Sequence, residues 1–170
     1  AGAVVLKAVD NNTEDVTGAS AGQERGIIDS NIYNDGTGAS VLTGGRRFSD
    51  SRSTDMFIHM DGQEVFKFAV KSVPTAIETL LHNNNMNVDD VDKFILHQAN
   101  VRIIESVAKR LKADKDKFPV NLNEYGNTSS ASIPILLDEL NRNGSLKQGE
   151  KLILAGFGAG LSWGSILLVW

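Results

Sequence analysis

The chain has 170 residues, 41% of them hydrophobic and 22% charged, which is typical of a globular protein with one core. Its formal net charge of −4 does not favour binding to nucleic acid or to an anionic membrane, and no apolar run is long enough to cross a membrane. It contains no cysteine, which excludes disulfides, thiolate metal ligands and a cysteine nucleophile within the chain.

Two strands and two loops are predicted in the N-terminal part of the chain. Small and β-branched residues over 3–9 predict a buried strand, and because the chain opens inside this pattern without an initiator methionine, we expect it to belong to a longer polypeptide. A second strand is predicted over 26–33, before the turn signal Asn-Asp-Gly at 34–36. The polar residues 11–24 predict a loop, and the Gly-, Ser-, Arg- and Asp-rich residues 37–55 predict an irregular excursion.

A short strand at 56–60 is predicted to lead into a long helix that begins at Asp61. Apolar residues recur there every three or four positions, which is typical of a helix that packs on a core. These positions are Val65, Phe66, Ala69, Val70, Val73, Ile77, Leu80 and Leu81. Pro74 predicts a kink, because proline removes a backbone hydrogen bond and clashes with the preceding turn. The polar residues 82–85 are predicted to end the helix.

Strands and helices alternate in the rest of the chain. Apolar or β-branched runs predict four strands, at 94–96, 118–122, 151–155 and 162–169. Helical spacing predicts one helix over 101–111 and a second helix that is capped by Thr128 or Ser129 and ends at Gly144. The pattern as a whole predicts an α/β fold in which helices cover a mixed, five-stranded sheet. No long linker divides residues 1–170, which are therefore predicted to form a single domain.

Two polar side chains, His97 and Asn127, are predicted to lie where a strand gives way to a helix. Ligands of α/β sheets bind at this edge. If the two strands are neighbours, the imidazole N–H and the amide N–H₂ converge on one oxygen, which is an arrangement that stabilises an enolate or an oxyanion. The alternative is that His97 only caps the next helix or belongs to the core.

The segment 156–160 has three glycines in five residues. Such a loop lets the backbone approach a ligand closely and leaves amide groups available as donors. It does not match the dinucleotide-binding fingerprint, because a strand pattern follows it instead of a helix. The simpler alternative is a tight hairpin between two core strands. Phe157, between two of the glycines, is then either the wall of a pocket or an ordinary core residue.

Several motifs, in the same order along the chain, resemble the β-ketoacyl-acyl-carrier-protein synthase III family. They are HQANVR at 97–102, NEYGNTSSASIP at 123–134 and GFGAGLSWGS at 156–165, together with MDGQEVFK at 60–67. The resemblance implies a thiolase fold of two similar halves related by a pseudo-twofold axis, with this chain as the C-terminal half. The family's nucleophilic cysteine lies in the other half, which agrees with the absence of cysteine here.

The resemblance implies an acyltransferase that begins type II fatty acid synthesis. In this reaction a short acyl group from coenzyme A condenses with malonyl-acyl-carrier protein, with loss of carbon dioxide, to give 3-oxoacyl-acyl-carrier protein. Coenzyme A and phosphopantetheine thioesters are the substrates, and neither a further cofactor nor a metal is expected. The implied partners are the N-terminal half, acyl carrier protein and acyl-CoA, in a homodimeric enzyme of the bacterial cytoplasm or a plastid. The chain alone is expected to be inactive.

The resemblance also assigns roles to individual residues. His97, as a neutral tautomer, and Asn127 would hydrogen-bond the malonyl thioester oxygen as the enolate forms. Phe157 would disfavour the malonyl carboxylate in the ground state. The backbone amide near Ala159 would form part of the oxyanion hole, although the family usually has glycine at this position. The positions that match the pantetheine tunnel are Gly62, Phe66 and Asn100.

A candidate docking surface for the acidic carrier protein is formed by four basic residues. They are Lys67, Arg102, Lys109 and Arg110. A local basic surface raises the rate of encounter with an acidic partner. The alternative is an ordinary solvated helix face, since Glu105 lies among these residues.

Two other functions remain open on the sequence alone. One is a non-catalytic module that binds acyl-pantetheine or the carrier protein. The other is a related thiolase-superfamily acyltransferase with a different acyl donor, such as an enzyme that makes alkylquinolones or polyketide starter units. The presence of both His97 and Asn127 favours condensation over binding alone, because a binding module does not need paired oxyanion donors.

Overall fold

The computed structural model describes residues 2–6, 25–44 and 57–170. Six strands and four α-helices lie in these ranges. In chain order they are β1 (Gly26–Asn34), β2 (Leu42–Gly44), β3 (Ile58–Met60), α1 (Gly62–Asn83), β4 (Lys93–Leu96), α2 (Val101–Leu111), α3 (Leu122–Tyr125), α4 (Ser132–Arg142), β5 (Lys151–Gly158) and β6 (Ser162–Val169). None of these helices is long and apolar enough to cross a membrane.

Four of the strands form a mixed sheet in the order β1-β6-β5-β4. β4 runs parallel to β5, whereas β5 and β6, and β6 and β1, are antiparallel. Leu96, the last residue of β4, is paired with Ala155. The backbone N–H of His97 donates to the carbonyl of Ala155 at 2.8 Å, so His97 leaves the sheet directly beside Gly156.

Helices cover both faces of this sheet. Phe94 and Leu96 of β4 are buried against α1 and α2, and Ile95 between them is buried on the other face, against Leu136 and Leu140 of α4. Apolar side chains on both faces explain why the strand runs in the sequence are continuous instead of alternating. The predicted α/β fold with a mixed sheet covered by helices is confirmed.

Helix α1 matches the prediction closely and includes Pro74 within one element from residue 62 to 83. The carboxylate of Asp61 accepts hydrogen bonds from the backbone N–H groups of Gln63 and Glu64, at 3.0 Å each. This side chain satisfies two of the donors that a helix leaves unpaired at its N-terminus.

The predicted strand over 118–122 is wrong, because no strand forms there and α3 begins at Leu122. The apolar character of this run has another cause: Phe118 stacks on Phe94, with ring centroids 4.6 Å apart. The backbone N–H of Asn121 donates to the side chain of Gln98 instead of to a neighbouring strand. Asn127 is therefore delivered by a helical turn and Gly126, not by a strand.

The predicted cap of α4 is also wrong. A 3₁₀ turn at Ser129–Ala131 runs directly into α4, and neither Thr128 nor Ser129 caps α4 with its side chain. The C-terminal end agrees with the prediction, since α4 stops at Arg142 and Gly144 follows with a φ of +72°.

The described residues contain four strands of the main sheet, one fewer than predicted. Residues 3–6 have no regular secondary structure, and residues 7–9 of the predicted first strand lie outside the described part of the chain. The predicted loop at 11–24 also lies outside it. The excursion predicted over 37–55 contains β2, which pairs with β3 in a separate two-stranded sheet.

Candidate active site

A cleft of about 720 Å³ lies at the edge where β4 and β5 end. His97, Asn127, Phe157 and Ala159 all line it, so four residues selected from the sequence meet in one place. His97 and Asn127 meet without the predicted neighbouring strand, because Asn127 reaches the cleft from the turn before α4. Within residues 2–6, 25–44 and 57–170, no group of three or more His, Cys, Asp or Glu side chains could hold a metal ion.

His97 is half-buried, and the ring nitrogen Nδ1 is 2.7 Å from the hydroxyl oxygen of Ser132. Burial lowers the pKa of the imidazole below its ordinary value, since a low-dielectric surrounding disfavours the charged form. The ring is thereby held neutral at neutral pH. Its other nitrogen, Nε2, is left for contact with a ligand in the cleft.

Asn127 is oriented by a contact within its own turn. Its side-chain oxygen Oδ1 accepts a hydrogen bond from the backbone N–H of Ser129 at 2.9 Å. Only the oxygen of the amide can accept from an N–H group, so this contact determines which atom of the side chain is which. The Nδ2 amide, with its two hydrogens, remains available to donate into the cleft.

Phe157, on β5, forms a wall of the cleft next to the imidazole. The rings of Phe157 and His97 meet edge to face, with centroids 5.4 Å apart and planes at 67°. Phe68 of α1 contacts Phe157 in a similar way, at 6.3 Å and 77°. The sequence raised two possibilities for Phe157, and it has both positions, since it lines the cleft and also packs against the hydrophobic core.

A second wall of the cleft comes from the β2–β3 hairpin and was not predicted. Leu42, Ile58 and Met60 contribute apolar side chains to the cleft, and Thr43 and Gly44 also line it. Nothing in the sequence pattern connects these residues to His97. Residues 37–55 were predicted only to be an irregular excursion, and residues 56–60 only to be a short strand.

The matched tunnel positions are placed near the cleft but are not among the residues that line it. Gly62 is the first residue of α1, and Phe66 packs against the core. Asn100 caps α2, with its Oδ1 accepting from the backbone N–H of Arg102 at 2.9 Å. Their chain neighbours Val65 and Ala99 line the cleft instead.

The basic residues of the candidate docking surface lie on α1 and α2. Arg102, Lys109 and Arg110 are exposed on α2. Lys67 on α1 forms an exposed ion pair with Glu64, with Nζ and Oε1 2.7 Å apart. Hydrogen bonding and charge attraction from Glu64 raise the pKa of Lys67, so this lysine stays charged but is partly neutralised by its partner.

Sequence reasoning missed Ser132 and Gln98, which contact the imidazole and its backbone. Ser132 is one of several serines in the run after Asn127, and only the fold distinguishes it from Ser129 and Ser130. Its 2% exposure sets it apart, since both of the others are exposed. Gln98 was visible within the HQANVR motif, but its 0% exposure was not.

Comparison with known proteins gives a consistent result. Residues 81–170 match the family described as 3-oxoacyl-(acyl-carrier-protein) synthase III C terminal. The chain is 44% identical over 155 residues to a β-ketoacyl-acyl-carrier-protein synthase III from Clostridium acetobutylicum, covering 88% of this chain and 48% of that protein.

Two solved structures extend the comparison to the fold. The crystal structure of 3-oxoacyl-acyl-carrier-protein synthase III from Aquifex aeolicus superimposes with a TM-score of 0.80 at 35% identity, over 90% of this chain and 47% of that one. The priming β-ketosynthase of the R1128 polyketide biosynthetic pathway gives 0.75 at 35% identity, over 85% and 45%. The chain therefore spans about half the length of the relatives it matches.

Proposed function

Because this chain belongs to the β-ketoacyl-acyl-carrier-protein synthase III family and corresponds to its C-terminal half, we propose that it supplies the decarboxylation site of a condensing enzyme. The proposed reaction is the first condensation of type II fatty acid synthesis. A short acyl group from acyl-CoA is joined to malonyl-acyl-carrier protein, carbon dioxide is released, and 3-oxoacyl-acyl-carrier protein is formed. No separate cofactor is needed, because both substrates are already activated as thioesters.

The observation that carries this proposal is the arrangement of His97 and Asn127. Both line one cleft, and each has one polar atom engaged by the protein, Nδ1 by Ser132 and Oδ1 by Ser129. The imidazole Nε2 and the amide Nδ2 remain for a ligand. When a malonyl thioester loses carbon dioxide, the electron pair of the broken C–C bond moves towards the thioester oxygen. Two prepositioned donors would stabilise that negative charge.

Phe157 fits the same step. Its ring lies against the imidazole, so the malonyl carboxylate would be held beside an apolar surface. A carboxylate there loses hydration without gaining a charged partner, whereas the neutral carbon dioxide that leaves has no such cost. Phe157 would therefore favour decarboxylation by raising the free energy of the ground state.

The nucleophile of the proposed reaction must come from outside this chain, which has no cysteine. We assign it to a cysteine of the N-terminal half, which would carry the acyl group and be attacked by the enolate carbon. The new C–C bond then forms as the C–S bond to the cysteine breaks. Apolar side chains that would suit a partner half are exposed on β1 and β3, namely Ile32 (78%), Ile58 (74%) and Met60 (61%).

The experiment uses the enzyme assembled from this chain and a cysteine-bearing N-terminal half. His97→Ala and Asn127→Ala are each expected to reduce release of carbon dioxide from malonyl-acyl-carrier protein by about 10²–10³-fold, as for the loss of an oxyanion donor. Transfer of the acyl group from coenzyme A to the cysteine should continue. Both steps are followed by mass spectrometry of the protein-bound thioesters.

Matched controls are His82→Ala and Asn141→Ala, because these two side chains are exposed on α1 and α4 and do not line the cleft. Both controls should keep the wild-type rate of decarboxylation. Wild-type rates in His97→Ala and Asn127→Ala would refute the proposed roles. Binding of malonyl-acyl-carrier protein by the wild-type enzyme without any release of carbon dioxide would favour the non-catalytic module.

A second candidate is a priming enzyme with a different acyl donor, which the likeness to the R1128 priming β-ketosynthase supports. The chemistry of the cleft would be the same, and only the acyl-CoA would differ. Competition between acyl-CoA substrates of increasing chain length distinguishes the two. Preference for acetyl-CoA supports the fatty acid enzyme, and preference for a longer or branched donor supports the priming enzyme.

The finer assignments rest on the family and on the surface chemistry of this chain. Acyl carrier protein would dock near Arg102, Lys109 and Arg110, which are exposed on one helix. The homodimeric state, and a location in the bacterial cytoplasm or a plastid, stay predictions.

A further inference from the structure

The contact between Ser132 and His97 assigns a role to a residue outside the donor pair. We propose that Ser132 is a positioning residue: its hydroxyl donates to Nδ1 of His97 and so fixes the tautomer that carries its proton on Nε2, towards the cleft. The separation of 2.7 Å between Oγ and Nδ1 is that of a good hydrogen bond. The inference deepens the proposed function and takes its chemical meaning from it.

The direction of this hydrogen bond follows from counting donors and acceptors. A serine hydroxyl has one hydrogen to donate and can accept at its oxygen. The backbone N–H of Gln98 donates to Oγ of Ser132 at 3.2 Å, so one acceptor position is already used. Within the described ranges, Nδ1 of His97 is the acceptor found within reach of the hydroxyl hydrogen.

The opposite direction would leave a buried donor without a partner. If Nδ1 carried the proton and donated to Ser132, the hydroxyl hydrogen would have no acceptor among the described residues. Ser132 is only 2% exposed, so water would not readily replace the acceptor. An unpaired buried hydroxyl is costly, and the arrangement with Nδ1 as acceptor is therefore favoured. A ring nitrogen that carries a proton cannot also accept a hydrogen bond. Because Nδ1 accepts from Ser132, the proton of the neutral ring resides on Nε2.

The surroundings of Ser132 are built to hold this geometry. Gln98, which is 0% exposed, donates from its side-chain Nε2 to the carbonyl of Leu96 at 2.8 Å and accepts at Oε1 from the backbone N–H of Asn121 at 3.2 Å. Asn121 in turn donates from Nδ2 to Glu139 of α4 at 2.8 Å. These bonds tie the backbone around His97 to the helix that carries Ser132.

The test is ¹⁵N NMR of the imidazole in the enzyme assembled from this chain, labelled at histidine, and an unlabelled cysteine-bearing half. The wild-type spectrum should show a protonated Nε2 and a non-protonated Nδ1 whose resonance carries the shift of an accepted hydrogen bond. That shift should disappear in Ser132→Ala. A protonated Nδ1 in the wild type would overturn the inference. Because this result comes from the wild-type protein alone, it does not depend on whether a variant folds.

Ser165→Ala provides the matched control. Ser165 is also 2% exposed, and its hydroxyl donates to a side chain, Oδ1 of Asn31, at 2.7 Å. Ser165→Ala therefore removes a comparable buried hydrogen bond on β6 and should leave the His97 resonances unchanged. An effect of the same size in both variants would mean that the resonances report a general loss of packing, and the inference would fail.

The functional measurement is the release of carbon dioxide from malonyl-acyl-carrier protein. Ser132→Ala should lower its rate about tenfold, the value expected for the loss of one net hydrogen bond, with acyl transfer from coenzyme A unchanged. An unchanged rate of decarboxylation would overturn the positioning role.

The outcomes for Ser132 and for the proposed function are separable. If Ser132→Ala alters the Nδ1 resonance while His97→Ala keeps full decarboxylation, the contact stands and the proposed function fails. If His97→Ala abolishes decarboxylation while the Nδ1 resonance is identical with and without Ser132, the function stands and the inference fails.

Discussion

At the scale of single residues, the burial of His97 has a consequence for stability as well as for chemistry. Burial holds the pKa of the folded imidazole below the ordinary value of 6.5. Between the lowered pKa and 6.5, the unfolded chain binds more protons than the folded chain, so the free energy of unfolding rises with pH. The contribution is complete above pH 6.5 and is lost as the pH falls through the folded pKa.

The prediction is that His97→Asn weakens this pH dependence. Urea denaturation of the assembled enzyme, at fixed protein concentration and at pH values from 7.5 to 5, measures it. The difference in unfolding free energy between wild type and variant should change across the window below pH 6.5 and be constant above it. Asn141→Ala, at an exposed residue of α4 that does not titrate, should leave the profile unaltered. Parallel profiles for wild type and His97→Asn would contradict the prediction.

Strand ends and glycine-rich turns are visible in a sequence, so His97 and Phe157 could be selected as candidates, and the family resemblance then gave them roles. Asn127 lines the cleft, but it was selected as the end of a strand at 118–122 that does not form. Ser132 was not selected. Its role depends on the approach of the first turn of α4 to the end of β4, and that contact joins residues 35 positions apart. Local sequence patterns do not show contacts between residues so far apart in the chain.

At the scale of secondary-structure elements, the start of α1 offers a direct test. Replacing Asp61 with alanine removes the acceptor of the hydrogen bonds from Gln63 and Glu64. The expected loss is about 1 kcal/mol in the free energy of unfolding, measured by urea denaturation. Asp61→Asn keeps a side-chain oxygen at the same place and should recover most of the stability. Equal losses in the two variants would exclude the cap as the cause.

Helices α1 and α2 and strand β6 were predictable because one apolar pattern continues over eight or more residues. Strand β5 was predicted only from the run at 151–155, and it extends to Gly158. The short run at 118–122 was wrongly predicted to be a strand, because its apolar residues pack against the core without pairing in a sheet. Phe118 packs on Phe94, and Pro119 has no backbone N–H to give to a sheet. A run of five residues does not by itself distinguish a strand from a packed loop.

At the scale of the whole molecule, the exposed basic face of α2 is predicted to select the carrier protein over free coenzyme A. Arg102→Glu should raise the KM for malonyl-acyl-carrier protein by about tenfold or more and should change the KM for acyl-CoA little, since a charge at the rim of a protein interface acts mainly on encounter. Steady-state kinetics at low and high salt measures both values.

The control for Arg102 is Arg142→Glu. Arg142 is exposed on α4, where it pairs with Asp138 at 2.8 Å, and α4 covers the opposite face of the sheet from α2. The Arg142→Glu variant should keep a KM for the carrier protein close to the wild-type value. Equal increases for both substrates in Arg102→Glu would remove the docking role.

The fold class was predictable because the alternation of strands and helices leaves few possible arrangements. The cleft could not be predicted in the same way, because its shape depends on where the β2–β3 hairpin lies relative to the main sheet. β2 and β3 pair with each other and with no strand of that sheet in the described residues.

The β2–β3 hairpin and the main sheet contribute different residues to the cleft, so substitutions in the two parts have different effects. His97 and Phe157 are held by β4 and β5, whereas Leu42, Ile58 and Met60 reach the same cleft from the hairpin. Substitutions in the hairpin can therefore reshape the cleft without altering the hydrogen-bonded strands beneath the donors. A lineage could acquire a new substrate preference by drift in the hairpin while its chemistry stayed under constant selection.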